Sequence, residues 1–207
     1  MKHIKYDAGM VNNLTCLRPK GTVSRHAVSS RGCVFQCKFC VVHQERRFRS
    51  HSPKRVVDEI VDLQEHYDCG CLSFVDPSFV RNKKRVHAVC DEIRRQGIRI
   101  PCRYEGHVRM VDRPLLEAMK AAGCVNIAYG IESGSQGMLR TIGKNVDLEH
   151  VTEAVRLTQA VGIAASGLFI LGLPGETREQ MEQTIELAAP LPLDLAQFSM
   201  YVPYPGS

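Results

Sequence analysis

No stretch of this chain approaches the unbroken apolar run of about 20 residues that a bilayer span requires, so no transmembrane helix is expected. The opening residues, MKHIKYDAGMVNN, lack the apolar centre of a secretory signal. With no export signal the default location is cytoplasmic, where thiols stay reduced. Nucleic-acid-binding motifs are missing as well. The net charge of +5 and isoelectric point near 8.7 are mild. The basic groups at Arg46, Arg47, Arg49, Lys54, Arg55, Arg81, Lys83, Lys84 and Arg85 read as solvated helix starts and loops, so nucleic acid is not an expected partner.

What remains suits one globular domain: 207 residues, 44% hydrophobic and 24% charged. Nine cysteines in a chain without an export signal argue for metal ligation rather than a disulfide framework. Three of them sit in SSRGCVFQCKFC, where Cys33, Cys37 and Cys40 have C-x3-C-x2-C spacing. A four-iron cluster normally takes four thiolates, so three leave one iron open to a small molecule. The rival reading is a structural zinc ion completed by His43 or Cys16. Cys16, Cys69, Cys71, Cys90, Cys102 and Cys124 show no second cluster spacing, and of these Cys69, Cys71, Cys90 and Cys102 read as core.

From Thr22 onward short β-rich runs alternate with amphipathic helical stretches. TVSRHAVSS leads into the cysteine loop as the first strand. In SPKRVVDEIVDLQEHY, Ser52 is an N-cap, Pro53 opens the helix, and Val56, Ile60, Leu63 and Tyr67 recur at helical spacing. CLSFV, IRIPCRY, CVNIAYG, ASGLFIL and LAQFSMYV are the later strands. Helices are expected after Asn82, over Asp112 to Ala122, over Asp147 to Val161, and after the capping box of Thr177 and Gln180. This rhythm predicts parallel pairing with right-handed crossovers. A complete (β/α)8 barrel needs eight units and about 250 residues. The expected fold is therefore α/β, a partial (β/α)6 TIM-like open barrel, spanning residues 22–207 behind an N-terminal extension of residues 1–21 and incomplete after its sixth strand.

The cysteine spacing, with Phe39 before the last cysteine, resembles that of the radical S-adenosylmethionine (radical SAM) enzymes. GIESGS at Gly130 to Ser135, FILGLPGET at Phe169 to Thr177 and YVPYPGS at the end follow in that superfamily's order. The chain is most similar to the core of the cobalamin-associated branch, which contains oxidative cyclases and methylases. The resemblance implies a 4Fe-4S cluster on Cys33, Cys37 and Cys40 whose open iron chelates SAM. One electron from a donor such as flavodoxin or ferredoxin would cleave SAM to a 5′-deoxyadenosyl radical, which would act on a small-molecule substrate. An RNA methylthiotransferase-like protein is the alternative within the superfamily. The D-x-H-x-x-G pattern that supplies cobalamin's lower ligand is absent, so any cobalamin would come from a domain not present here.

The same resemblance assigns contacts for SAM. Phe39 would flank the adenine, while Ile170, Gly172 and Leu173 would line it through main-chain and apolar groups. Glu132, and with it Ser133, would accept from ribose hydroxyls or the methionyl amino group, and Lys144 would hold the carboxylate. Asp76 matches an acidic residue after the second strand, although Pro77 follows where relatives carry a second acid. Plainer readings stand beside these: a tight strand-to-helix turn at Gly172, a carboxylate favoured by a helix dipole at Glu132, and a solvated loop lysine at Lys144.

Overall fold

A computed structural model describes residues 23–44 and 47–205. The extension over residues 1–21, and with it Cys16, lies outside those residues, as do Thr22, Arg46 and the side chain of His43. Six strands form one parallel sheet: β1 (Ser24–Ala27), β4 (Cys71–Phe74), β5 (Cys102–Gly106), β6 (Cys124–Glu132), β7 (Ala164–Leu171) and β8 (Leu195–Met200). They lie side by side in chain order, and β1 and β8 are the two edges. The architecture is the open six-unit barrel that the alternation of strands and helices requires.

Six helices fill the connections: α1 (Pro53–His66), α2 (Lys83–Arg95), α3 (Arg113–Ala121), α4 (Gln136–Thr141), α5 (Leu148–Ala160) and α6 (Arg178–Ala188). Their ends follow local chemistry. Ser52, Asn82 and Asp112 each accept from a backbone N–H three residues on, and Thr177 and Gln180 complete the reciprocal capping box. The apolar spacings face the sheet as expected: Val86, Val89 and Ile93 are fully buried, as are Val151 and Val155. Tyr67 departs from its pattern because it caps α1 rather than continuing it, and it is exposed.

Other departures cluster at the mouth of the barrel. The first strand is not continuous through Ser30. It ends at Ala27, and a short β2 (Ser30–Arg31) turns to pair antiparallel with β3 (Arg49–Ser50), closing the cysteine segment into a loop. β5 starts only at Cys102, whereas β6 runs on to Glu132. Helix α4 has no counterpart in the expected pattern, because six residues carry too little periodicity to read.

Among the described residues, the cysteines outside the loop are core. Cys71, Cys90, Cys102 and Cys124 are buried under the sheet with the helix faces. The Cys102 thiol donates to the Ile100 carbonyl and the Cys69 thiol to Cys71, both at 3.4 Å. Burial pushes the Cys90 and Cys102 thiols up to about 12. Such groups stay protonated and inert.

Candidate active site

In parallel barrels the carboxyl ends of the strands converge on one mouth. Here they deliver the cysteine loop after β1, Asp76 after β4, Glu105 and His107 at the end of β5, Glu132 at the end of β6 and the Gly172 turn after β7. The cysteine loop is pinned over that mouth from three sides.

The first anchor is Asp76, which is fully buried. Its carboxylate accepts from the Ser29 backbone N–H at 2.7 Å and from the Ser29 and Ser30 hydroxyls at 2.6 Å each. Arg85 donates to the Ser29 and His51 carbonyls at 2.9 and 3.0 Å, tying the same corner to α2. Three of a carboxylate's roughly four acceptor positions are thus taken by the segment leading into Cys33. Asp76→Asn keeps one acceptor oxygen and sets an amide against these donors. A loss of about 2–4 kcal/mol is expected, read as a lower urea midpoint at unchanged slope.

The second anchor is the loop after α4. The Lys38 N–H donates to the Ile142 carbonyl at 2.8 Å. Gly143, at φ +72°, passes so near that a Cβ there would lie 3.0 Å from the Gln36 carbonyl oxygen. The third is a ring stack: Phe35 lies parallel to His107, centroids 4.1 Å apart and planes 9° off.

Held this way, the loop faces a buried ion pair. Lys144 Nζ donates to Glu132 Oε1 at 2.7 Å, with the two side chains only 7% and 11% exposed. The lysine is not the solvated loop residue of the plainer reading. Glu132 occupies the left-handed region at φ +72°, uncommon for a side chain of its size. A register shift between Gly130 and Glu132 in the β6–β7 pairing re-aims it. Gly130 makes room: a Cβ there would collide with Glu132 Oε1 and come within 2.9 Å of Lys144 Nζ.

The electrostatics of Cys37 report the convergence. Burial pushes its thiol up to about 11, against the pull of the Lys144 ammonium and with the added repulsion of Glu132, Cys40 and Cys33. Burial likewise raises Glu105, reinforced by the Asp76 and Glu132 carboxylates, and drives His107 down to about 3, with Lys144 and Arg109 adding to the effect. The mouth therefore holds a neutral imidazole beside carboxylates that repel one another.

Ser133 and the Gly172 turn are engaged within the protein. The Ser133 hydroxyl accepts from the Ser135 N–H at 3.1 Å and shares a hydrogen bond with Thr184 at 3.2 Å. A Cβ on neighbouring Gly134 would run into the backbone of α6. The Gly172 and Leu173 N–H groups donate to Glu176 at 2.6 and 3.0 Å, so those two donors are already used. Phe39, Ile170 and Leu173 meet in one apolar cluster with Met138, Leu139 and Ile142. The structure brings these three together and packs them beside α4; Ser133 and Asp76 spend their polar groups on shaping the walls.

The donor set of Cys33, Cys37 and Cys40 fits an iron-sulfur cluster. None of the three is in a disulfide, all are half-buried on one loop, and the Cys40 N–H donates to the Cys37 carbonyl at 3.1 Å. A thiol held near 11 is neutral in water and loses its proton to a metal. Among the described residues no three His, Cys, Asp or Glu side chains converge closely enough to hold one metal ion. A tetrahedral zinc at about 2.3 Å from each sulfur would need thiolates about 3.8 Å apart. A cubane instead takes each thiolate at a different iron.

An open barrel carrying a three-thiolate loop beside a buried acid–base pair defines a class of SAM-dependent iron-sulfur enzymes. The chain belongs to the Radical SAM superfamily, whose profile matches residues 27–188. It is 37% identical over 182 residues to an uncharacterized methyltransferase of Pyrococcus horikoshii, covering 87% of this chain and 40% of that one. It is 33% identical over 181 residues to the anaerobic magnesium-protoporphyrin IX monomethyl ester cyclase of Cereibacter sphaeroides, covering 85% of this chain and 30% of the relative. The chain thus spans less than half the length of these relatives. In fold it is similar to the radical S-adenosylmethionine methyltransferase TsrM of Kitasatospora setae, solved with tryptophan and a SAM analogue bound. The TM-score is 0.76 at 21% identity, over 85% of this chain and 35% of that one. A second structure of TsrM holds cobalamin and a [4Fe-4S] cluster. Among the described residues no helix is long and apolar enough to cross a membrane.

Proposed function

We propose that this chain is the SAM-cleaving core of an enzyme that methylates or cyclises a small organic substrate. Cys33, Cys37 and Cys40 would carry the cluster. The observation that supports this reading is the meeting of the cysteine loop with the Glu132–Lys144 pair beside the apolar cluster of Phe39, Ile170 and Leu173. Bound there, the cluster and SAM supply one-electron reductive cleavage of a sulfonium carbon–sulfur bond.

The chain's own groups would do the rest. Lys144 and Glu132 present opposite charges in a desolvated pocket, matching the carboxylate and the ammonium at the amino-acid end of SAM. Phe39, Ile170 and Leu173 give the adenine an apolar wall and keep water from the reacting bond. Asp76 and Ser133 fix the geometry of that pocket from behind. The methyltransferases and the cyclase among the relatives motivate the choice of reaction class, and TsrM motivates cobalamin as a further cofactor held outside these residues. A flavodoxin or ferredoxin would deliver the electron.

The test is anaerobic reconstitution with iron and sulfide. About four irons per chain, with 5′-deoxyadenosine released from SAM under dithionite, is the expected outcome. One zinc per chain and no SAM cleavage would overturn the proposal.

A further inference from the structure

His107 has one ring nitrogen without a partner. Its Nδ1 accepts from the Arg109 backbone N–H at 3.3 Å, which in a neutral imidazole leaves the proton on Nε2. That Nε2 is buried and has no hydrogen-bond partner among the described residues, on a side chain 8% exposed. Leaving a buried donor of this kind unpaired is costly. A native structure keeps such a group when something outside the polypeptide accepts from it.

The position of the ring narrows what that acceptor is. Phe35, midway between Cys33 and Cys37, lies flat on the imidazole. The ring is therefore held against the ligand loop itself. The turn at Val108–Met110 takes its other nitrogen, so Nε2 points away from its own backbone. Lys144 is near enough to act on the imidazole electrostatically, as it also does on Cys37. That cation thus acts on both His107 and Cys37, and it is itself committed to Glu132.

We infer that His107 is a positioning residue for the iron-sulfur centre, its Nε2–H donating to a sulfur, either a sulfide or a cysteine thiolate, of the cluster on Cys33, Cys37 and Cys40. The inference rests on the cluster reading above. Its physical effect is on redox poise. A hydrogen bond to cluster sulfur stabilises the extra electron of the reduced state and so raises the potential. A neutral donor does this without adding charge, and the Phe35 stack fixes its direction. The imidazole stays uncharged because burial, Lys144 and Arg109 all oppose its protonation.

The experiment is an EPR-monitored redox titration of the reconstituted protein without SAM, comparing the parent with His107→Phe and His107→Gln. Phenylalanine keeps the stack and removes the donor; glutamine keeps an N–H and removes the aromatic ring. With iron content unchanged, His107→Phe is expected to lower the reduced-to-oxidised ratio at a fixed potential about tenfold, equivalent to 59 mV for a one-electron couple. His107→Gln is expected to recover most of that shift. Equal potentials in all three proteins overturn the inference, as does a shift that glutamine fails to rescue, since that marks packing alone. A difference that emerges only when SAM is added moves the acceptor to SAM and overturns it too. Absence of any cluster in the parent is a separate outcome, which sinks the proposed function itself.

Discussion

Cys37→Ala protein, reconstituted anaerobically, is expected to retain less than about a tenth of the parent's iron and to release no measurable 5′-deoxyadenosine. The reason lies in the count of thiolates. A four-iron cluster normally relies on four protein ligands, and a loop offering three has none to spare. Cys37 is the thiol that burial, Lys144, Glu132 and the other two cysteines all act upon, so it stands at the meeting point of the site. Cys102→Ala provides the contrast. That thiol is buried under the sheet and donates to a backbone carbonyl. Its loss leaves a small cavity, worth about 1–2 kcal/mol of stability, with full iron content retained. Iron analysis and the 5′-deoxyadenosine assay on both variants separate the two kinds of cysteine. An alanine at Cys37 that kept the cluster would show that a different set of thiols binds it.

The expected difference between those cysteines starts in the sequence, where spacing sets the three loop thiols apart from the scattered ones that the structure buries. The barrel is equally legible. Each strand–helix unit carries its own period, cap and stop, as Ser52 with Pro53 or Thr177 with Gln180 illustrate, and alternation leaves parallel pairing as the natural outcome. Features that depend on contact across the chain are not. Nothing in a linear reading says that Asp76 spends its carboxylate on Ser29 and Ser30, 47 and 46 residues away. Nor can composition reveal that Lys144 is sealed against Glu132 rather than solvated. His107 reads along the chain only as a polar residue after a strand, and its importance emerges from an unpaired nitrogen and from Phe35 stacked upon it. The one local signal that could have exposed the pair is Gly130, whose missing Cβ is what lets the lysine and the glutamate meet.

That pair supports the second large effect. Lys144→Met removes the cation from a site where both side chains are almost wholly shielded from water. Glu132 is then left with an uncompensated charge, because the N–H groups nearby are engaged elsewhere: the Ser135 N–H with Ser133 and the Gly134 N–H with Thr184. Breaking a buried pair from one side costs about 3–5 kcal/mol, far more than the net worth of the intact pair. In a chain of this size the melting temperature should fall by roughly 10 °C. The double variant Lys144→Met with Glu132→Gln removes both charges, and most of the stability should return. Binding of SAM should behave otherwise. If the two groups hold the amino-acid end of SAM, affinity drops in the single variant and stays low in the double one, despite its recovered fold. Thermal unfolding and equilibrium binding, measured on the same three proteins, therefore pull apart two roles that the geometry superimposes. Recovery of both quantities in the double variant would reduce the pair to a structural element, and the contacts to SAM would have to be sought among the other groups at the mouth of the barrel.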